Sequence, residues 1–169
     1  MNPRRILPAV LAAVVAGCAG YRLGPTNGAP AGSLSVQVRP FVNHTLEPRI
    51  SEYLTSSLRK RLQQDGTYQL QNSGMADVLV RGEIIRFERT AISYSTNDVL
   101  TPQEYTLTLT ANIVAQDGYS GKVSINRTVQ GHTFVRGGTD LPSEEREAMP
   151  NLADDLARNA VSILVDGPW

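Results

Sequence analysis

The sequence predicts an α+β fold: a two-layer sandwich with two helices packed on one face of a four-stranded mixed β-sheet, in the order β-α-β-β-β-α. Three observations carry this. Residues 105–113 alternate between apolar side chains and Thr or Asn, and Ala115 continues the apolar phase, which is the two-residue period of a strand with one buried face. Ile50, Tyr53, Leu54, Leu58 and Leu62 recur at helical spacing, and so do Met149, Leu152, Leu156, Ile163 and Leu164. Each helix has a single apolar stripe, so both are expected to cover the same sheet face.

The N-terminus sets the compartment. Arg4 and Arg5 precede an apolar run from Ile6 to Ala16, which is too short to span a bilayer but suits an export signal. The run ends in Val15-Ala16-Gly17-Cys18, which resembles a bacterial lipobox. That resemblance implies cleavage before Cys18 and lipidation of its sulfur and its new amine, and several acyl chains hold a protein firmly on a membrane. The alternative is an ordinary signal with a buried cysteine. Ala19 stands where such lipoproteins often carry an inner-membrane retention Asp, which favours the outer membrane. Residues 1–17 are therefore read as the signal, 18–33 as the acylated Cys and a Gly/Pro-rich tether, and 34–169 as one domain.

Within that domain, Leu34, Val36 and Val38 alternate with Ser35 and Gln37, and Pro40 limits the strand to a sheet edge or ends it. The first helix is expected to start near Glu47-Pro48 and to close at Asp65-Gly66. A short extended piece, residues 68–71, leads through Asn72-Ser73-Gly74 into a long strand from Asp77 to Tyr94. Its apolar phase changes near Ile84-Ile85, which predicts a bulge. Asp117-Gly118 and Ser120-Gly121 mark the turn of a hairpin whose last strand carries Val123, Ile125, Val129 and Val135. Ser143 suits the N-cap of the last helix, with Glu144 and Glu145 in its first turn. Pro150 is expected to kink that helix or restart it.

Composition excludes several functions. Lys+Arg and Asp+Glu both number 16, and loss of Arg4 and Arg5 leaves the remainder slightly acidic, which argues against nucleic acid as a partner. One cysteine rules out an internal disulfide framework. The two histidines, His44 and His132, leave little for a metal centre, and no cofactor is expected. No Gly-x-Ser-x-Gly elbow or phosphate-binding Gly loop is present, and the carboxylates of the last helix read as a solvated face, so no enzyme is expected.

Two features suggest binding. The outward phase of the hairpin is Thr106, Thr108, Thr110 and Asn112 on one strand, with Ser124, Asn126, Thr128, Gln130 and His132 on the next. It is polar yet almost uncharged. Two readings stand: a surface that hydrogen-bonds another protein, or a wet sheet face built from good strand formers. The second feature is a set of arginines, Arg81, Arg86 and Arg89 on the long strand and Arg127 and Arg136 on the last. Arg127 falls in the apolar phase and needs a partner or a route to solvent. Arginines bind phosphate bidentately, but each of these also fits a solvated or carboxylate-paired role.

The chain resembles the LptE family of LPS-assembly lipoproteins. The resemblance lies in Cys18-Ala19-Gly20-Tyr21-Arg22-Leu23-Gly24 and in Phe41-Val42-Asn43-His44-Thr45-Leu46-Glu47-Pro48. It continues in Ala76-Asp77, Gly82-Glu83-Ile84, Tyr105-Thr106-Leu107-Thr108-Leu109, Asp117 and Ser120-Gly121, and then in Leu152-Ala153, Leu156-Ala157 and the terminal Trp169. It implies a non-enzymatic plug and folding partner of the outer-membrane β-barrel LptD that assists LPS delivery to the outer leaflet. On that reading Thr106, Thr108, Thr110, Asn112, Asn126, Thr128 and Gln130 are candidates for the barrel contact. Arg86, Arg89, Arg127 and Arg136 are candidates for lipopolysaccharide phosphates. The competing reading is an auxiliary lipoprotein of an envelope phospholipid or solute transport system.

Overall fold

The computed structural model describes residues 30–94, 102–138 and 140–167. The chain runs β1 (Leu34–Val38), β2 (Val42–Asn43), α1 (Ile50–Asp65), β3 (Tyr68–Leu70), β4 (Val78–Tyr94), β5 (Pro102–Asp117), β6 (Val123–Arg136) and α2 (Leu141–Asp166). The architecture is the expected α+β sandwich, with two additional short strands. Strand order is β3-β1-β4-β5-β6, with β2 also on β4. β1 pairs parallel with β3 and β4, whereas β4, β5 and β6 form an antiparallel meander. β1 does end before Pro40, but it lies inside the sheet, because β3 covers its outer side.

Alternation builds the core. Leu107, Leu109, Ala111, Ile113 and Ala115 of β5 are buried, together with Ile125, Val129 and Val135 of β6. α2 lies over these strands, and α1, packed beside α2 and against β1, β2 and β3, adds Ile50, Leu54, Leu58 and Leu62 to the same core, four residues apart and fully buried. Each such side chain contributes about 1.5–3 kcal/mol of burial. Gly66 closes α1 in the left-handed conformation, φ 76°, and its N–H bonds Leu62 O. The predicted phase change is a register shift between Ile84 and Arg86.

α2 departs from expectation at two points. It begins at Leu141 with Pro142 in its first turn, so Asp140, rather than Ser143, occupies the cap position. It then runs as one continuous helix through Pro150, which lies on the exposed side, so the helix does not restart there. The small residues Ala153, Ala157 and Ala160 bring α2 close to its neighbours, and Arg61 of α1 grips the Asp154 carboxylate of α2 through two hydrogen bonds. Tyr68 of β3 donates its hydroxyl to Leu164 O at 2.9 Å, tying the far strand to the same helix.

Gly131 decides how closely α2 meets β6. A Cβ there would lie 2.5 Å from the Leu156 main-chain nitrogen. Its absence lets α2 lie against the outer strand, where the Asp155 carboxylate accepts the His132 N–H (2.9 Å) and the Asn159 amide donates to Gln130 O (2.8 Å).

Candidate functional site: the uncovered sheet face

Among the described residues, no helix lies on the second face of the sheet. Cross-strand registers place its side chains in rows: Arg86, Thr110 and Gln130; Glu88, Thr108 and His132; Thr90, Thr106 and Phe134; Glu83, Asn112 and Thr128; Arg81, Val114 and Asn126. All seven residues expected to form a contact face therefore share one surface. Two side-chain bonds cross the strands on this face. The Gln130 amide donates to Thr110 Oγ1 at 3.2 Å, and Thr108 Oγ1 lies 3.1 Å from His132 Nδ1. Such pairs fix rotamers and hold a regular array of hydroxyl and amide groups.

The face is less neutral than the hairpin alone suggests. β4 adds Arg81, Glu83, Arg86 and Glu88; the ion pair Arg86–Glu88 (3.6 Å) lies along it, and His44 Nε2 sits 3.4 Å from the Glu83 carboxylate. Phe134, 70% exposed, adds an aromatic ring beside Thr106. Neither was legible as part of this face: β4 changes phase at its bulge, and Phe134 sits in a run read mainly for its inward residues.

The four candidate arginines do not converge. Arg86 is opposite Thr110 and Arg136 opposite Glu104, both on the open face. Six residues of β5 separate those positions, about 20 Å along a strand. Arg89 lies opposite Leu107 on the helix side, where it pairs with Glu145 of α2 and sits 5.6 Å from the Tyr105 ring centroid. Arg127 lies opposite Ile113 in the helix-side phase and reaches solvent at the rim. Cys18 lies outside the described residues.

Carboxylates near the margins organise the backbone. Asp117 accepts the N–H groups of Tyr119 (3.1 Å) and Ser120 (2.6 Å) and the Ser120 hydroxyl (2.8 Å), which sets the β5–β6 turn. Asp77 accepts the hydroxyl and N–H of Ser35, clipping β1 to the start of β4. Those bonds hold the Asp77 carboxyl below the usual carboxylate range, and the Arg61 hydrogen bond does the same for Asp154. The Asn43 side chain bonds Thr45 and Glu47, shaping the entry to α1. Among the described residues no group of three or more His, Cys, Asp or Glu is arranged to hold a metal ion, and no helix is long and apolar enough to cross a membrane.

Fold and surface together define a small α+β domain that keeps one sheet face for its own core and presents the other. The family model for LptE, lipopolysaccharide-assembly, matches residues 34–163. The chain belongs to that family. No curated protein matches the sequence at a significant level. Among solved structures, a protein from Xanthomonas campestris has a TM-score of 0.63 at 15% identity, over 85% of this chain and 90% of its own. A hypothetical protein from Chlamydia trachomatis has a TM-score of 0.55 at 12% identity, over 79% and 95%. A minor lipoprotein from Acinetobacter baumannii has a TM-score of 0.53 at 17% identity, over 78% and 91%. At these identities the likeness is one of fold.

Proposed function

We propose that the protein is an outer-membrane lipoprotein, anchored through Cys18, whose domain serves as plug and folding partner of an LptD-type β-barrel and assists lipopolysaccharide insertion into the outer leaflet. It works by binding, without a catalytic step. The observation that carries this reading is the uncovered Thr-rich face in a member of the lipopolysaccharide-assembly family. The lumen of a large barrel is polar. Hydroxyl and amide groups lose less on leaving water than ammonium or carboxylate groups do, and they re-form hydrogen bonds with a polar wall. The charges of β4 flank the neutral field and would fix its orientation in the lumen. Arg86 and Arg136 lie on the open face, and of the two Arg136 is the better placed for lipid phosphates, because Arg86 pairs with Glu88 and Arg89, on the helix side, pairs with Glu145.

The test is an affinity pull-down of the lipidated protein from detergent-solubilised outer membranes, with the partner identified by mass spectrometry. A stoichiometric large β-barrel is the expected result. Recovery of transporter components, or of no partner, overturns the plug reading in favour of an auxiliary transport lipoprotein. The double variant Thr108→Glu plus Thr128→Glu sharpens the assignment. It places unpaired charge on the face while sparing the core, so the domain should stay folded and the barrel complex should be lost. A complex that survives both substitutions puts the contact elsewhere.

A further inference from the structure

Among the described residues, the two-residue β2, the short β3, the far part of β4 and the outer side of β6 have strand edges without a neighbouring strand, and the last three are treated differently. β3 is only three residues long. The free part of β4, beyond the β2 pairing, is broken by register shifts at Ile84/Arg86, Ala91/Ser93 and Ser93/Tyr94 and carries Arg86, Glu88 and Arg89. Short length, bulges and charge all keep a foreign strand from pairing. β6 is the third. Its middle is closed by α2, where Asp155 takes the His132 N–H and Asn159 caps Gln130 O.

That closure stops at residue 130. In an antiparallel ladder, alternate residues turn their main-chain groups toward the neighbour or away from it. Gln130 and His132 face away from β5, and the register continues without a shift to Asn126, so Thr128 and Asn126 face away as well. Among the described residues nothing bonds the outward N–H and C=O of these two. Beside them runs a groove of about 510 Å³, walled by Val123, Ile125 and Arg127 of β6, by Ile163 and Asp166 of α2 and by Gly167 just after it. Ile163 is partly buried against the core and Val123 is 48% exposed, which gives the groove an apolar side. Arg127 is exposed at its rim and makes no ion pair among the described residues, whereas Asp166, at the helical end, accepts the Ser162 hydroxyl at 3.3 Å.

We propose that residues 125–128 of β6 and the C-terminal part of α2 form a strand-addition groove for an extended segment of a partner protein, one with an apolar side chain for the Ile163 wall and a carboxylate for Arg127. A free strand edge beside a helix takes a peptide in this way: main-chain bonds supply the affinity, and alternate side chains enter the groove. The groove lies on the helix side and at the edge of the sheet, away from the Thr-rich face, so it stands whether or not a barrel is the partner of that face.

The probe is a phage-displayed library of random ten-residue peptides, selected on the full chain in detergent, with enriched peptides then synthesised. The expected peptides combine β-branched residues with an acid, and their binding slows hydrogen exchange of the Asn126 and Thr128 amides. Asn126→Pro removes an outward donor without touching the β5 ladder and should weaken binding about tenfold, the equivalent of one main-chain hydrogen bond. Arg127→Glu leaves the backbone intact and should switch selection from acidic to basic peptides, so it carries the test if the proline variant misfolds. Three results overturn the proposal. Selection yields nothing above an unrelated control; or both variants bind the peptides as tightly as the parent; or the two amides are already protected in the full chain without peptide, which assigns the edge to the chain's own residues.

Discussion

Leu107, Leu109, Ala111 and Ile113 interleave with Thr106, Thr108, Thr110 and Asn112 along a single strand, yet the two sets live in different solvents. The first set is buried in the core beneath the helical layer. The second faces outward, and Thr108 and Thr110 bond sideways to β6. A strand alternates its side chains by geometry alone, so the one stretch from Thr106 to Ile113 specifies both part of the core that holds the domain together and part of the surface it presents. The division of labour should appear in mutagenesis as a difference of phase: odd positions move stability, even positions move association.

The largest expected break of that contrast is Leu109→Ala. The side chain is fully buried, so its loss should cost about 2–5 kcal/mol in chemical denaturation, with no specific effect on partner binding once folding is allowed for. Next is Gly131→Ala, at the point where α2 meets the outer strand. The added methyl collides with Leu156 main chain, and relieving it should cost about 1–3 kcal/mol. It should also raise hydrogen exchange at His132, whose N–H depends on Asp155. A smaller effect is expected from Asp154→Asn, which breaks a partly exposed ion pair between the helices. About 1 kcal/mol or less should be lost, and a double-mutant cycle with Arg61→Ala isolates it.

Two sharper contrasts are smaller still. Asp77 and Asp154 have carboxyls held below their unfolded values, so the stability they contribute is present above about pH 4 and is lost as pH falls through their folded-state values. The gap in Tm between the parent and Asp77→Asn should therefore narrow as the pH is lowered below about 4. Finally, Thr108→Ala on the open face should change stability by about 0.5 kcal/mol or less, because it removes only an exposed contact with His132. A loss as large as that of Leu109→Ala would show that the open face also belongs to the core.

Much of this was readable beforehand, residue by residue. The alternation of β5, the bulge after Ile84, the helical stripe Ile50-Leu54-Leu58-Leu62 and the Gly66 stop are local patterns of period two or four with a turn residue attached, and the structure follows them. β2 was not readable as a strand, and β3 only as an extended piece outside the sheet, since two and three residues show no period; both join the sheet because parallel neighbours far away in the chain pair with them. The start of α2 moved for a local reason, because Pro142 is already suited to a first turn. Arg89 was legible only as one of several arginines on a long strand. The phase shift at the bulge turns it toward the helices, away from Arg86.

The sequence by itself determined which residues face inward and which outward, because polypeptide geometry converts a period in the chain directly into a face. It also determined the family, whose pattern spans residues 34–163. Only the tertiary structure decided what lies next to what. The charges of β4 border the Thr-rich field, Glu145 holds Arg89, and α2 closes the β6 edge at residues 130–132 and leaves it open at 126 and 128. Each of these joins elements far apart in the chain, and such contacts depend on how the helix crosses the sheet, a relation that no local pattern in the sequence encodes.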